Sequence, residues 1–355
     1  MEKNIEAMTL REKVGQLFIV RPESLEPGIR YDSDAELPAY KLQAVSDGMR
    51  RRAQDYPVGG VLLYGHNIAG PAQLETFVKD LKALPGAPLL CIDEEGGRVS
   101  RLANNPAFDV PRFESAAALA AAGPESTYEA ARTIGGYLKR YGFDIDFAPV
   151  ADVNTNPDNI IIGTRAFSGN PRQAAPLVAA YVRGLQETGV TACLKHFPGH
   201  GDTLADTHLG YAFTQKNWAE IAACEMIPFR AGIEAGAQLV MAAHIAAPAV
   251  TGDKQPATFS PAILTGKLRG ELGFDGLIIT DALEMGAVTR QYGSGEAAVR
   301  ALLAGADLLL CPLNLCEAFD AVEQAVRTGK IPESRLDESV YSISKRLRKP
   351  VIMNT

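Results

Sequence analysis

From Lys195 to His208 the chain reads KHFPGHGDTLADTH, which gathers three of its five histidines (His196, His200, His208) with Asp202, Asp206 and the cation Lys195. Side chains of these types give and take protons, ligate metals, or bind hydroxyl and carboxylate groups. A purely structural loop needs turn residues, not titratable groups, so their concentration marks a candidate site. Pro198, Gly199 and Gly201 argue against a helix or a long strand running through the segment. The apolar run from Gly189 to Leu194 just before it reads as a buried strand, so the polar cluster begins where a strand ends.

Three kinds of chemistry fit this loop. His196, His200 and His208 with Asp202 or Asp206 supply enough ligands for a metal. Against that, Pro198 and Gly199 prevent the helix that would align the two rings of H-x-x-x-H, and no adjacent Glu serves as a base. A loop closed by its own hydrogen bonds is the second reading. In the third, the Asp206 carboxylate fixes the tautomer of His208 two residues on and raises its basicity, as a group that shuttles a proton requires.

Other polar residues fall where apolar runs stop. They are Asp93-Glu94-Glu95, Asp152-Val-Asn154, Lys195-His196, His244 and Asp281, whereas the first run ends on Arg21 and the last on Pro312. Buried carboxylates cost several kcal/mol unless paired, so this many imply pairing or work. Asp281 reads by residue type as a helix cap as readily as a site residue. Asp93 has Gly96-Gly97 to turn the backbone and Arg98 and Arg101 as nearby cations, which would keep it ionised and able to accept from hydroxyls. Arg165, on the loop VNTNPDNIIIGTRAFSGNP, reads either as an ion-paired structural residue or as a clamp on a substrate oxygen. His244 reads equally as core or as site.

The elements that must position these groups are legible as eight short apolar runs: GQLFIV, GGVLLY, PLLCID, FDIDFAPV, GVTACLKH, AQLVMAAH, GLIITD and GADLLLCP. Most lack alternation, the pattern of strands buried on both faces of a parallel sheet. Helical spacing lies between them over 71–84, 114–122, 171–187, 217–234, 260–271, 294–303 and 316–328. Eight βα units in a chain of 355 residues predict one α/β domain over 1–355, a (β/α)8 TIM-type barrel. Its first unit is expected to be irregular, because Val20 to Pro57 is a long connection whose helical part is Tyr40 to Asp55. A doubly wound open sheet is the alternative, weakened by the lack of a Gly-rich dinucleotide fingerprint after the first strand.

Bulk composition narrows the function classes. Apolar content is 46%, charged content 22% and net charge −7, without the clustered cations that nucleic-acid binding requires. No apolar run approaches the ~20 residues of a membrane span. The N-terminus lacks the apolar core of a signal peptide, and the five scattered cysteines form no disulfide framework. A cytoplasmic monomer with reduced, mostly buried thiols is the expectation.

Four motifs in order, IDEEGGRVSRL, the loop ending NIIIGTRAF, KHFPGHGDTLADTH and LIITDALEMGAV, resemble glycoside hydrolase family 3. They resemble its β-N-acetylglucosaminidase branch of the peptidoglycan-recycling type, over essentially the whole chain. The resemblance implies Asp281 as catalytic nucleophile, His208 as general acid/base on a mobile loop and Asp206 as its dyad partner. It further implies Asp93, Arg101, Arg165, Lys195 and His196 as ligands of a terminal N-acetylglucosamine, with no cofactor and no metal. Glu94 stands where Gln often follows the Asp, and Thr207 where Ser often lies in the dyad.

The implied reaction is exo-hydrolysis of muropeptide or chitooligosaccharide fragments with retention at the anomeric carbon. An imidazole acid/base would not repel an anionic acceptor, so phosphorolysis is a variant of the same reading. A non-catalytic sugar-binding barrel and a metal-dependent hydrolase are the competing classes.

Overall fold

The computed structural model of the chain describes residues 5–31, 40–205 and 212–348. The eight apolar runs form eight strands: β1 (Phe18–Val20), β2 (Gly60–Leu62), β3 (Leu89–Ile92), β4 (Ile145–Asp146), β5 (Thr191–Phe197), β6 (Leu239–Ala242), β7 (Leu277–Thr280) and β8 (Leu309–Leu310). They pair in parallel in the order β7-β6-β5-β4-β3-β2-β1-β8, and an Ile279–Leu308 bridge closes the ring. This is the expected (β/α)8 barrel. Its side chains are buried on both faces because helices cover the outside and the barrel fills its own interior, which is why the strands read as unbroken apolar runs.

The β7–β8 seam is stitched partly by side chains. Leu310 N–H donates to Thr280 Oγ1 (3.0 Å) and Ile278 N–H to Asp307 Oδ2 (2.9 Å). Asp307 is nearly closed to solvent, and its other oxygen accepts from Arg335 (3.0 Å) and Ser339 (2.8 Å) on the last helix, Glu333–Leu347.

The outer helices are α1 (Asp47–Asp55), α2 (Pro71–Lys82), α3 (Pro124–Arg140), α4 (Pro171–Glu187), α5 (Met226–Glu234), α6 (Ala262–Glu271), α7 (Ser294–Ala304) and α8 (Leu315–Arg327). Their starts follow from capping chemistry: Ser46, Asn170 and Asn314 each accept a first-turn N–H, and α2, α3 and α4 open on Pro.

Three segments differ from the sequence reading. Only 47–55 of the expected 40–55 is helical, since Ser46 caps there. The expected helix over 217–234 is two, Trp218–Ala223 and α5, broken at Cys224 where ψ is −79°. Residues 262–271 wind more widely, with Leu272 N–H reaching back five residues to Lys267 O (2.9 Å). Helix α3 and the last helix were not among the expected elements.

Candidate active site

Asp93 follows β3 at the carboxyl-terminal rim, and the chain then folds into a hairpin, Glu94–Gly96 against Val99–Ser100. Gly96 and Gly97 make its turn at φ 83° and 78°, a region that side-chain-bearing residues avoid. The hairpin carries Arg101 back beside Asp93. Two strands on, β5 extends through Phe197, so Lys195 and His196 belong to the strand and are held by it.

These groups converge. Lys195 Nζ lies 2.9 Å from Asp93 Oδ1 and 2.6 Å from Glu95 Oε1, and it is only 2% exposed. Arg101 reaches the other Asp93 oxygen at 3.3 Å. Arg165 pairs with Glu95 through both Nε (2.8 Å) and Nη2 (2.7 Å), so it is at once ion-paired and part of the site. Its Nη2 also stands 3.4 Å from His196 Nε2. The opposite ring nitrogen, His196 Nδ1, donates to Asp152 Oδ2 (2.7 Å), while Asp152 Oδ1 accepts the N–H groups of His196 (3.2 Å) and His200 (2.6 Å).

Burial sets the electrostatics of these pairs. It works to raise the Asp93 carboxyl, but Lys195 and then Arg101 outweigh it and hold Asp93 far below the ordinary carboxylate range. The same contest, burial against Lys195 and Arg165, leaves Glu95 lowered. Lys195 loses charge preference by burial and regains more from Asp93 and Glu95, so it stays protonated. Asp152 is lowered because His196 overcomes the effect of burial. His200, by contrast, is lowered by burial and by its neighbour His196. Arg101 Nε is a buried donor with no partner. An ionised acceptor between two cations, with an unpartnered donor beside it, suits a ligand that both donates and accepts, as sugar hydroxyls do.

Asp281 stands at the end of β7, half-buried, with Oδ1 accepting the next N–H, that of Ala282 (2.8 Å). It caps no helix: the short turn Gly286–Thr289 begins after Met285, which offers no side-chain cap. Among the described residues it is not ion-paired with Lys195, which serves Asp93 and Glu95, or with Arg165, which serves Glu95. His244 proves to be neither inert core nor rim ligand. Its Nε2 donates to Ala282 O (2.9 Å) and its Nδ1 meets Thr258 Oγ1 (2.9 Å), so it holds the backbone beside Asp281. Burial lowers its basicity and outweighs the opposing pull of Asp281.

Asp206 and His208 lie outside the described residues. The stem on either side is described: Leu204–Ala205 pairs antiparallel with Ala212–Phe213, which pairs in turn with Ile245–Ala246 after β6. Asp202 braces it through Thr155 (3.1 Å), Thr214 (3.2 Å) and Lys216 (3.2 Å). His200 Nδ1 is engaged by Thr203 Oγ1 (2.8 Å). Three of the side chains that the metal reading named, His196, His200 and Asp202, thus have protein partners.

Sequence reasoning placed Glu95, Asp152 and Arg21 at strand ends but assigned them no role, and it did not foresee the buried ion pair between Arg21 and Glu284. The Arg21 guanidinium lies 4.0 Å from the Tyr64 ring centroid and that of Arg101 5.5 Å from it, so through Arg21 and Glu284 Tyr64 links the loop after Asp281 to the Arg101 side of the hairpin.

Residues 9–345 match the family model described as the glycosyl hydrolase family 3 N terminal domain. A β-hexosaminidase of Thiobacillus denitrificans is 39% identical over 269 residues, covering 74% of this chain and 74% of that protein. Beta-hexosaminidase LpqI of Mycobacterium tuberculosis is 34% identical over 346 residues, covering 94% of this chain and 81% of that protein. The structure of a glycoside hydrolase family 3 β-N-acetylglucosaminidase from a Paenibacillus species gives a TM-score of 0.84 at 37% identity, over 98% of this chain; the chain spans 65% of that protein's length. From its first helix to its last the chain belongs to glycoside hydrolase family 3, and it is a glycoside hydrolase.

Proposed function

We propose that the chain is a retaining exo-β-N-acetylglucosaminidase that removes terminal N-acetylglucosamine from muropeptide or chitooligosaccharide fragments. The observation that supports this most is the ionised Asp93 between Lys195 and Arg101, with the unpartnered Arg101 Nε beside it, on the rim that also presents Asp281. The names of these relatives, β-hexosaminidase and β-N-acetylglucosaminidase, point to the same substrate class.

In this reading Asp93, Arg101, Arg165, Lys195 and His196 hold the terminal sugar by its hydroxyl and acetamido groups. The Asp281 carboxylate attacks the anomeric carbon as the bond to the leaving oxygen breaks, and His208, protonated and supported by Asp206, gives that oxygen its proton. The neutral imidazole then takes a proton from water, whose oxygen displaces Asp281 and restores the starting state.

Asp281→Asn is expected to lower kcat at least about 10³-fold with the fold intact. Release of p-nitrophenol from the N-acetylglucosaminide, measured beside the plain glucoside, checks both mechanism and substrate. An Asp281→Asn variant as active as the parent would sink the nucleophile assignment, and equal turnover of the two glycosides would sink the acetamido preference. Products in phosphate buffer identify the acceptor: free sugar for water, sugar-1-phosphate for phosphate.

A further inference from the structure

The acidic run after β3 is split between two surfaces. Asp93 and Glu95 face the cations of the site, whereas Glu94 turns away from it and is 0% exposed. Its Oε2 accepts the backbone N–H groups of Arg101 (2.5 Å) and Leu102 (2.9 Å). Its Oε1 accepts the N–H of Ala103 (2.9 Å) and the hydroxyl of Tyr137 (2.9 Å), which comes from α3. Four donors thus meet on one carboxylate that is sealed from solvent. Burial raises the pKa of this carboxyl, with the Leu102 and Ala103 N–H groups and Tyr137 opposing.

What this carboxylate fixes is the strip of backbone that begins with Arg101. Among the described residues, the Arg101 guanidinium itself is held loosely, 3.3 Å from Asp93 and 5.5 Å from the Tyr64 centroid. The direction of that side chain, and of its unpartnered Nε, therefore depends on where the Arg101 backbone is anchored.

We propose that Glu94, which cannot touch substrate, is a positioning residue for sugar binding: it clamps the 101–103 backbone and so aims Arg101. The inference rests on Arg101 being a sugar ligand, as in the function proposed above. An apolar side chain of similar size offers no acceptor, so it leaves the three backbone N–H groups and the Tyr137 hydroxyl without this anchor.

A double-mutant cycle tests this, using Glu94→Leu, Arg101→Ala and the pair, with kcat and KM measured on p-nitrophenyl N-acetylglucosaminide. Glu94→Leu is expected to raise KM roughly tenfold with kcat within about threefold of the parent, and to add nothing in the Arg101→Ala background. A parental KM in Glu94→Leu, or penalties that multiply in the pair, would overturn the proposal. If thermal melts show that Glu94→Leu does not fold, Tyr137→Phe removes one donor and keeps the charge. It should give a smaller KM rise that vanishes with Arg101→Ala, and an absent or multiplying effect again overturns the clamp. A parent chain that turns over no N-acetylglucosaminide would refute the functional reading instead. The same cycle, run then on calorimetric Kd values for N-acetylglucosamine, judges the clamp by the same criteria.

Discussion

Asp146 lies beneath this clamp, with Oδ1 on the Glu94 N–H (2.8 Å) and Oδ2 without a partner. Burial drives its carboxyl well above the ordinary value, so the folded protein holds it protonated where the unfolded chain would ionise it. A carboxyl raised in this way disfavours folding increasingly as pH climbs above the unfolded value of roughly 4. Asp146→Asn removes that titration and leaves a neutral acceptor for Glu94. Its Tm relative to the parent is therefore expected to rise by a few °C, on the order of one pH unit's worth of linkage or more, as pH climbs above that value. Melts across that range check it, and a constant offset would show Asp146 to be ionised. At this scale the sequence revealed the groups that stand at strand ends in titratable form, such as Asp93, Lys195 and His196. It concealed their partners. Arg165 is 70 residues from Glu95 and Arg21 is 263 from Glu284, and nothing local in either segment marks the match.

Helix α3 shows why an element can be invisible when its neighbours are plain. Its Gly135-Gly136 pair reads as a break, yet the helix continues because glycine allows α4 to approach. A Cβ on Gly135 would meet Thr188 Oγ1 at 2.3 Å, and one on Gly184 of α4 would meet the Tyr128 carbonyl oxygen at 2.3 Å. Packing across two distant segments, not local propensity, chose these residues. Gly184→Ala must push backbone against backbone and is expected to cost about 1–3 kcal/mol. Urea unfolding monitored by circular dichroism should show a lower midpoint with an unchanged slope, and an unchanged midpoint would mean that the two helices are not in close contact. The split at Cys224 was hidden for a similar reason, since the apolar spacing continues across it.

The barrel as a whole was the most legible feature, because strands closed on both faces need no alternation and eight such runs have few other ways to be buried. The same closure governs the thiols. Cys91, Cys193 and Cys311 are 0% exposed on β3, β5 and just after β8, and burial raises each thiol, while Cys224 and Cys316 are half-exposed. Native protein is expected to react with Ellman's reagent at no more than two of its five cysteines within minutes, and at all five in guanidinium. Rapid native reaction at three or more would show that the interior opens.

The stitching of β7 to β8 limits which sequences can carry this architecture. A ladder of peptide groups accepts almost any residue, but here the hoop is fastened by a hydroxyl at Thr280 and a carboxylate at Asp307. The residue next to that fastening is Asp281. Loss of the Thr280 hydroxyl would loosen the strand end that carries Asp281, so one side chain serves both the closure of the barrel and the placement of a rim carboxylate.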